Sequence, residues 1–203
     1  MTAFSNTRDE EQGAQSPQAL AAHQKSFDTV TIAFHWATVV FVLGLLATAL
    51  LHAQSHDDAT KALTLRIHRS VGVTVWLITV CRLVWRMSGA KMPPFSVTMT
   101  RTHRTLVQIS EYCLYALLVI QPITGLTATI TRGRPFDLFW WHVPPLIADR
   151  PALHASLVSA HQLGAWILII LISGHALNAL IHYFVLRDSM LQRMAPLGTM
   201  QRR

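Results

Sequence analysis

Residues 157–186 read LVSAHQLGAWILIILISGHALNALIHYFVL, without a single Asp, Glu, Lys or Arg and with histidine at 161, 175 and 182. At about 1.5 Å of rise per residue such a run exceeds the ~30 Å hydrocarbon core of a bilayer, so it predicts a membrane-spanning helix. An ionisable side chain inside such a helix is costly, and each histidine is therefore a candidate functional group. At about 100° per residue, the step from His161 to His175 returns to within about 40° of the same face and covers ~21 Å along the axis. The two cannot share one metal ion, whose ligand bonds are near ~2 Å, but they can serve two centres at different depths.

Three more apolar runs lie upstream, at 30–51, 66–85 and 106–130. The first is interrupted only by His35. The second carries Arg69 and Arg82 near its ends, where snorkelling lets both heads reach the interface. The third contains Pro122 and Gly125, a pattern that predicts a kink. Residues 136–147 are too short to span, are broken by Pro144 and Pro145, and with Trp140 and Trp141 read as a segment lying on the membrane surface. Residues 1–28 are polar, lack the apolar centre of a signal peptide and read as a flexible cytoplasmic tail. The expected organisation is an all-α four-helix membrane bundle over 29–196, with a basic tail at 197–203.

Charge and cysteine usage narrow the class. Charged residues make up 13% of the chain and lie between the apolar runs, against a soluble domain. The net charge of +7 resides at the ends of apolar helices, where lipid headgroups are met, and no exposed basic helix or arm suggests nucleic acid. Cys81 and Cys113 sit inside apolar runs and read as packed small hydrophobes. No Cys-x-x-Cys-His occurs, which excludes covalent haem attachment through that motif.

Orientation follows from the Lys and Arg count. Eleven (Arg8, Lys25, Arg82, Arg86, Lys91, Arg101, Arg104, Arg187, Arg193, Arg202 and Arg203) fall on the side of the two termini, and six (Lys61, Arg66, Arg69, Arg132, Arg134 and Arg150) on the other. The positive-inside rule then predicts both termini in the cytoplasm. His35, near the start of the first helix, and His175 fall in the cytoplasmic half; His68, at the start of the second, and His161 fall in the periplasmic half. Two imidazoles at each depth are what two stacked, non-covalent haems require, which gives His35 with His175 and His68 with His161 as the expected axial pairs. Gly72, four residues after His68, and Gly164, three after His161, leave room beside the outer pair for a porphyrin plane, although small residues also serve close helix packing. Two histidines on one iron leave no open coordination position, favouring electron transfer over oxygen binding.

With these residues in view, the chain resembles the bacterial cytochrome b561 family, including its superoxide-oxidising branch. The matching stretches are Phe34-His35-Trp36, Arg66-Ile67-His68 with Gly72, and Gln121-Pro122-Ile123-Thr124-Gly125. The Arg132-Gly133-Arg134-Pro135-Phe136 turn follows, then His161, Gly164, His175, Ala176, His182-Tyr183-Phe184 and a run from Asp188 ending in Leu191-Gln192-Arg193-Met194. The resemblance covers about residues 28–196. It implies a four-helix bundle of the bacterial inner membrane with two haems b on His35, His68, His161 and His175, and ubiquinone as electron partner near His182. Glu111 stands where relatives often carry histidine. The expected function is electron transfer from a periplasmic-side donor, superoxide among the candidates, to ubiquinone. The alternatives are an electron-carrying subunit of a larger dehydrogenase or hydrogenase, and a non-redox membrane scaffold or channel.

Overall fold

A computed structural model describes residues 27–90, 100–187, 191 and 194. The expected tails at 1–28 and 197–203 lie almost wholly outside these residues. Four helices carry the fold: α1 (Thr29–Gln54), α2 (Asp58–Ser88), α3 (Arg101–Thr131) and α4 (Pro151–Phe184), with a small antiparallel pair, β1 (Phe136–Leu138) and β2 (Trp141–Val143), between α3 and α4. All four helices are long and apolar enough to cross a membrane. Their outward faces expose Val40, Leu43, Leu77, Ile120, Trp166 and Ile170 among many others, a surface that lipid solvates and water does not. The fold is that of a multi-pass membrane protein.

Local chemistry sets where each helix begins. Asp28 caps α1 by accepting from the Thr31 amide at 2.9 Å and its hydroxyl at 2.7 Å, and Asp57 caps α2 in the same way through Thr60, at 2.8 Å for both. Those hydrogen bonds from Thr60 hold the Asp57 carboxyl below the usual carboxylate range, so its contribution is present above that range and fades as pH falls through the lowered value. Thr100 caps α3, and Pro151 opens α4, where its missing N–H costs nothing. These caps lie beyond the apolar runs, and the helices therefore extend further than the sequence expectation, most of all α2, which begins at Asp58. α3 passes through Pro122 as one helix. Cys81 and Cys113 are exposed on the helix surfaces, correcting the expectation that they pack inside.

Helices α1 and α2 form one closely packed antiparallel hairpin, α3 and α4 a second, and α2 lies against α3 to join them. Trp36 donates to the Met194 carbonyl at 2.7 Å and Trp85 to Asp28 at 3.1 Å, so the start of α1, the end of α2 and the segment after α4 share one end of the bundle, the tail end. The β-hairpin sits at the other. It packs on α2: Phe136 is buried under the Arg69 guanidinium, 5.7 Å from its ring centre, Arg69 donates to the Asp137 carbonyl, and the Phe139 amide donates to Ser70 Oγ at 2.6 Å. Residues 136–147, expected as a segment lying on the membrane surface, contain an ordered hairpin whose Trp140 and Trp141 are exposed. Gly133 makes the preceding turn possible: its φ is +62°, and a Cβ there would stand 2.5 Å from the Asp149 amide nitrogen.

The core lies midway along the bundle. Val42, Val75 and Leu118 are buried together, with Phe41, Leu45, Val71, Leu168 and Ile172 around them. Val42, Val75 and Leu168 each follow a motif histidine, His35, His68 and His161, by two turns of helix. An apolar layer from all four helices therefore separates the two histidine levels.

Candidate functional site

The four histidines meet in the pairs that depth and spacing predict. His35 on α1 faces His175 on α4 with ring centres 6.4 Å apart, at the tail end. His68 on α2 faces His161 on α4 at 6.2 Å, at the hairpin end. Each pair therefore joins the first helical hairpin to the second. His35, His68 and His161 are half-buried and His175 is exposed in the polypeptide. Among the described residues, no three His, Cys, Asp or Glu converge on a common point, so the donor set at each level is two imidazoles.

Two facing imidazoles suit an iron held on both axial faces. Two bonds of about 2 Å, each with roughly 1 Å from nitrogen to ring centre, place the ring centres about 6 Å apart. Both observed separations agree with that figure. A porphyrin also carries carboxylates, and an arginine stands near each level. Arg69 Nε and Arg82 Nε are buried without a hydrogen-bond partner among the described residues. Arg69 adjoins His68 in sequence, and Arg82 lies close enough to His35 and His175 to act on both electrostatically. The residues present thus fit a haem at each level.

The hairpin-end pair is held tightly. His161 Nδ1 lies 3.0 Å from the Gln121 carbonyl and 3.2 Å from Thr124 Oγ1; His68 Nδ1 lies 3.2 Å from the Leu45 carbonyl and 3.1 Å from Thr48 Oγ1. Gly125 admits the His161 ring, since a Cβ at that position would come within 2.9 Å of Cε1. Gly164 is buried against Gln121, whose Oε1 lies 2.5 Å from where a Cβ would stand, and Gln121 Nε2 donates to the His161 carbonyl at 2.9 Å. In the polypeptide the small residue at 164 therefore makes room for a side chain that anchors the ligand helix. A Cβ on Gly72 would meet only Leu45 of α1, at 3.9 Å.

At the tail end, Arg86 and Glu111 form an ion pair, and both Arg82 and Arg86 lie over the Tyr115 ring at 5.2 and 5.6 Å. His182 is completely buried, where its position along α4 suggests reach of lipid. The ring of His103, which the sequence does not single out, lies 5.3 Å from that of His182, and His103 Nε2 donates to Asn178 Oδ1 at 2.9 Å. The available signal was the spacing of Asn178 and His182, four residues apart on one face of α4. Thr48 is missed because threonine is common in apolar helices and carries no signal of its own, and Thr124 is seen only as part of the Gln121–Gly125 stretch, without its contact to His161.

Four membrane-length helices with imidazole pairs at two levels define a membrane cytochrome of the b type, engaged in electron transfer. The chain belongs to the prokaryotic cytochrome b561 family, which residues 26–196 match. It is 28% identical over 170 residues to cytochrome b561 homolog 2 of Escherichia coli (strain K12), covering 83% of this chain and 90% of that protein. It is 26% identical over 173 residues to cytochrome b561 homolog 1 of the same organism, covering 84% and 97%. It is 25% identical over 175 residues to a protein of Yersinia pestis named probable superoxide oxidase CybB, covering 85% and 97%.

Proposed function

We propose that the chain holds two haems b in the bacterial inner membrane, one between His35 and His175 and one between His68 and His161, and carries electrons from the periplasmic side to ubiquinone. The observation that carries this reading is the pair of imidazole separations, 6.4 and 6.2 Å, at two depths of one bundle. A haem held at each level by its two histidines would supply one-electron transfer. Arg69 and Arg82 would offer N–H groups to its carboxylates, and Gly72, where a Cβ would meet only Leu45 at 3.9 Å, leaves space at the hairpin-end pair, while Gly164 gives its space to Gln121. The asymmetry in Lys and Arg supports an orientation with the hairpin end in the periplasm and the termini in the cytoplasm.

Superoxide is the donor the reading favours, on two supports: the name of the Yersinia pestis relative, and the exposed cations Arg66, Arg132 and Arg134 at the hairpin end. An anion reaches such a surface faster than a neutral molecule does. Two superoxide anions each lose one electron and leave as dioxygen; ubiquinone takes up the two electrons and two protons and leaves as quinol. At the tail end the proposed quinone site lies around His182: that ring is enclosed in the polypeptide, and quinone would meet it through the half-buried His103, whose ring lies 5.3 Å away.

The test is anaerobic mixing of the haem-loaded protein with superoxide in the presence of a ubiquinone analogue, following haem absorbance and quinol together. Haem reduction followed by quinol formation is expected, and the reduction rate should fall as salt is raised from about 10 mM to about 0.5 M, because the Debye length shrinks to a few Å. A rate indifferent to salt would remove electrostatic capture of superoxide. Isolation as a stable complex with an iron-sulfur or nickel subunit would replace superoxide with that partner as donor.

A further inference from the structure

The two hairpin-end histidines are held by the same device, built twice on different helices. His68 Nδ1 contacts the carbonyl of Leu45 and the hydroxyl of Thr48, three residues further along α1. His161 Nδ1 contacts the carbonyl of Gln121 and the hydroxyl of Thr124, three residues further along α3. In each case the threonine hydroxyl also donates to that same carbonyl, at 2.9 Å. Among the described residues no hydrogen bond reaches the ring of His35 or His175.

The chemistry fixes the proton. A carbonyl oxygen can only accept, so a bare Nδ1 at 3.0 Å from Gln121 O or 3.2 Å from Leu45 O would set two lone pairs against each other. Nδ1 therefore carries the hydrogen, and the threonine oxygen, its own proton committed to the carbonyl, accepts from it. Nε2 is left with its lone pair for iron. Donation from Nδ1–H pushes electron density into the ring and makes it a stronger base. A stronger axial base stabilises ferric over ferrous iron and so lowers the reduction potential.

We infer that Thr48 and Thr124 are positioning residues that, together with the Leu45 and Gln121 carbonyls, hold both hairpin-end imidazoles in the iron-binding tautomer and lower the potential of the hairpin-end haem relative to that of the tail-end haem. This inference rests on the two-haem reading. It gives electron movement a direction, from the hairpin end towards the tail end. The ordered polarity of hydroxyl, carbonyl and ring makes each set more than the sum of its bonds.

The experiment is a spectroelectrochemical titration of the purified, haem-loaded full chain, with wild type, T48V/T124V and T48S/T124S compared and the hairpin-end component assigned as the one missing in His68→Ala. Valine keeps the shape of threonine and removes the hydroxyl; serine restores the hydroxyl. In the valine variant the hairpin-end midpoint should rise by about 59 mV, a tenfold change in the ferrous-to-ferric ratio for one electron. The tail-end midpoint should stay in place, and the serine variant should titrate like wild type. If the valine variant instead loses the hairpin-end haem while the serine variant keeps two haems per chain, the positioning role stands. A valine variant with two haems and unmoved midpoints would overturn the inference, and so would a serine variant that behaves like valine. A wild type with only one haem per chain is a different failure, that of the two-haem reading.

Discussion

His161→Ala and His175→Ala should each lower the haem content from about two per chain to about one, and the haem lost should differ between them. Both histidines lie on α4, within one continuous helix from Pro151 to Phe184. General damage to that helix would strip both sites alike, so selective loss separates a ligand role from a packing role. His161→Ala removes the partner of His68 and His175→Ala that of His35. On the proposed path either break would interrupt electron passage, and quinol formation should drop about 100-fold or more in both variants. Haem determination against protein mass, with reduced-minus-oxidised spectra of each variant, reads the result. Loss of the same spectral component in both variants would show that the pairing is wrong.

Gly125→Val should remove or weaken the hairpin-end haem while leaving the tail-end one. A Cβ at 125 would stand 2.9 Å from His161 Cε1 and 3.2 Å from Nδ1, and valine adds two methyl groups to it. The ring must then leave its place beside the Gln121 carbonyl and Thr124. Overpacking of this kind costs about 1–3 kcal/mol, and here the strain falls on an iron ligand. The check is haem content and spectrum beside thermal unfolding in detergent. Equal loss of both haems, or none, would mean that Gly125 does not control the seat of His161.

Much of this arrangement is legible in the sequence because membrane helices advertise themselves by length. A run without charges from 157 to 186 can hardly be anything else, and histidines inside it stand out against apolar neighbours. Their pairing follows from depth alone, since alternate helices enter from opposite faces. The helix ends are less legible. Caps such as Asp57 and Thr100 sit in polar segments outside the bilayer, where hydropathy carries no information, so α2 and α3 begin earlier than their apolar runs suggest. The β-hairpin escapes because strands of three residues leave no usable alternation, and its ties to Arg69 and Ser70 lie far away in sequence.

At the site, what the sequence could not express was who touches whom. The enclosure of His182 depends on packing between α3 and α4, including His103, which lies one helix upstream. Gly164 reads as space beside a ligand, and in the folded chain that space receives Gln121. Gly125 reads as part of a kink, and in the folded chain it faces the His161 ring. In each case the residue stands out and its neighbour does not, because spacing along one helix fixes a face but says nothing of the side chain opposite.

The most direct measurement is the haem-to-protein ratio of the purified wild type together with its electron paramagnetic resonance spectrum in the oxidised state. Two haems per chain, both low-spin with two imidazole ligands, are expected. One haem per chain, or a high-spin signal from iron with an open position, would contradict the placement of an iron between each pair of histidines.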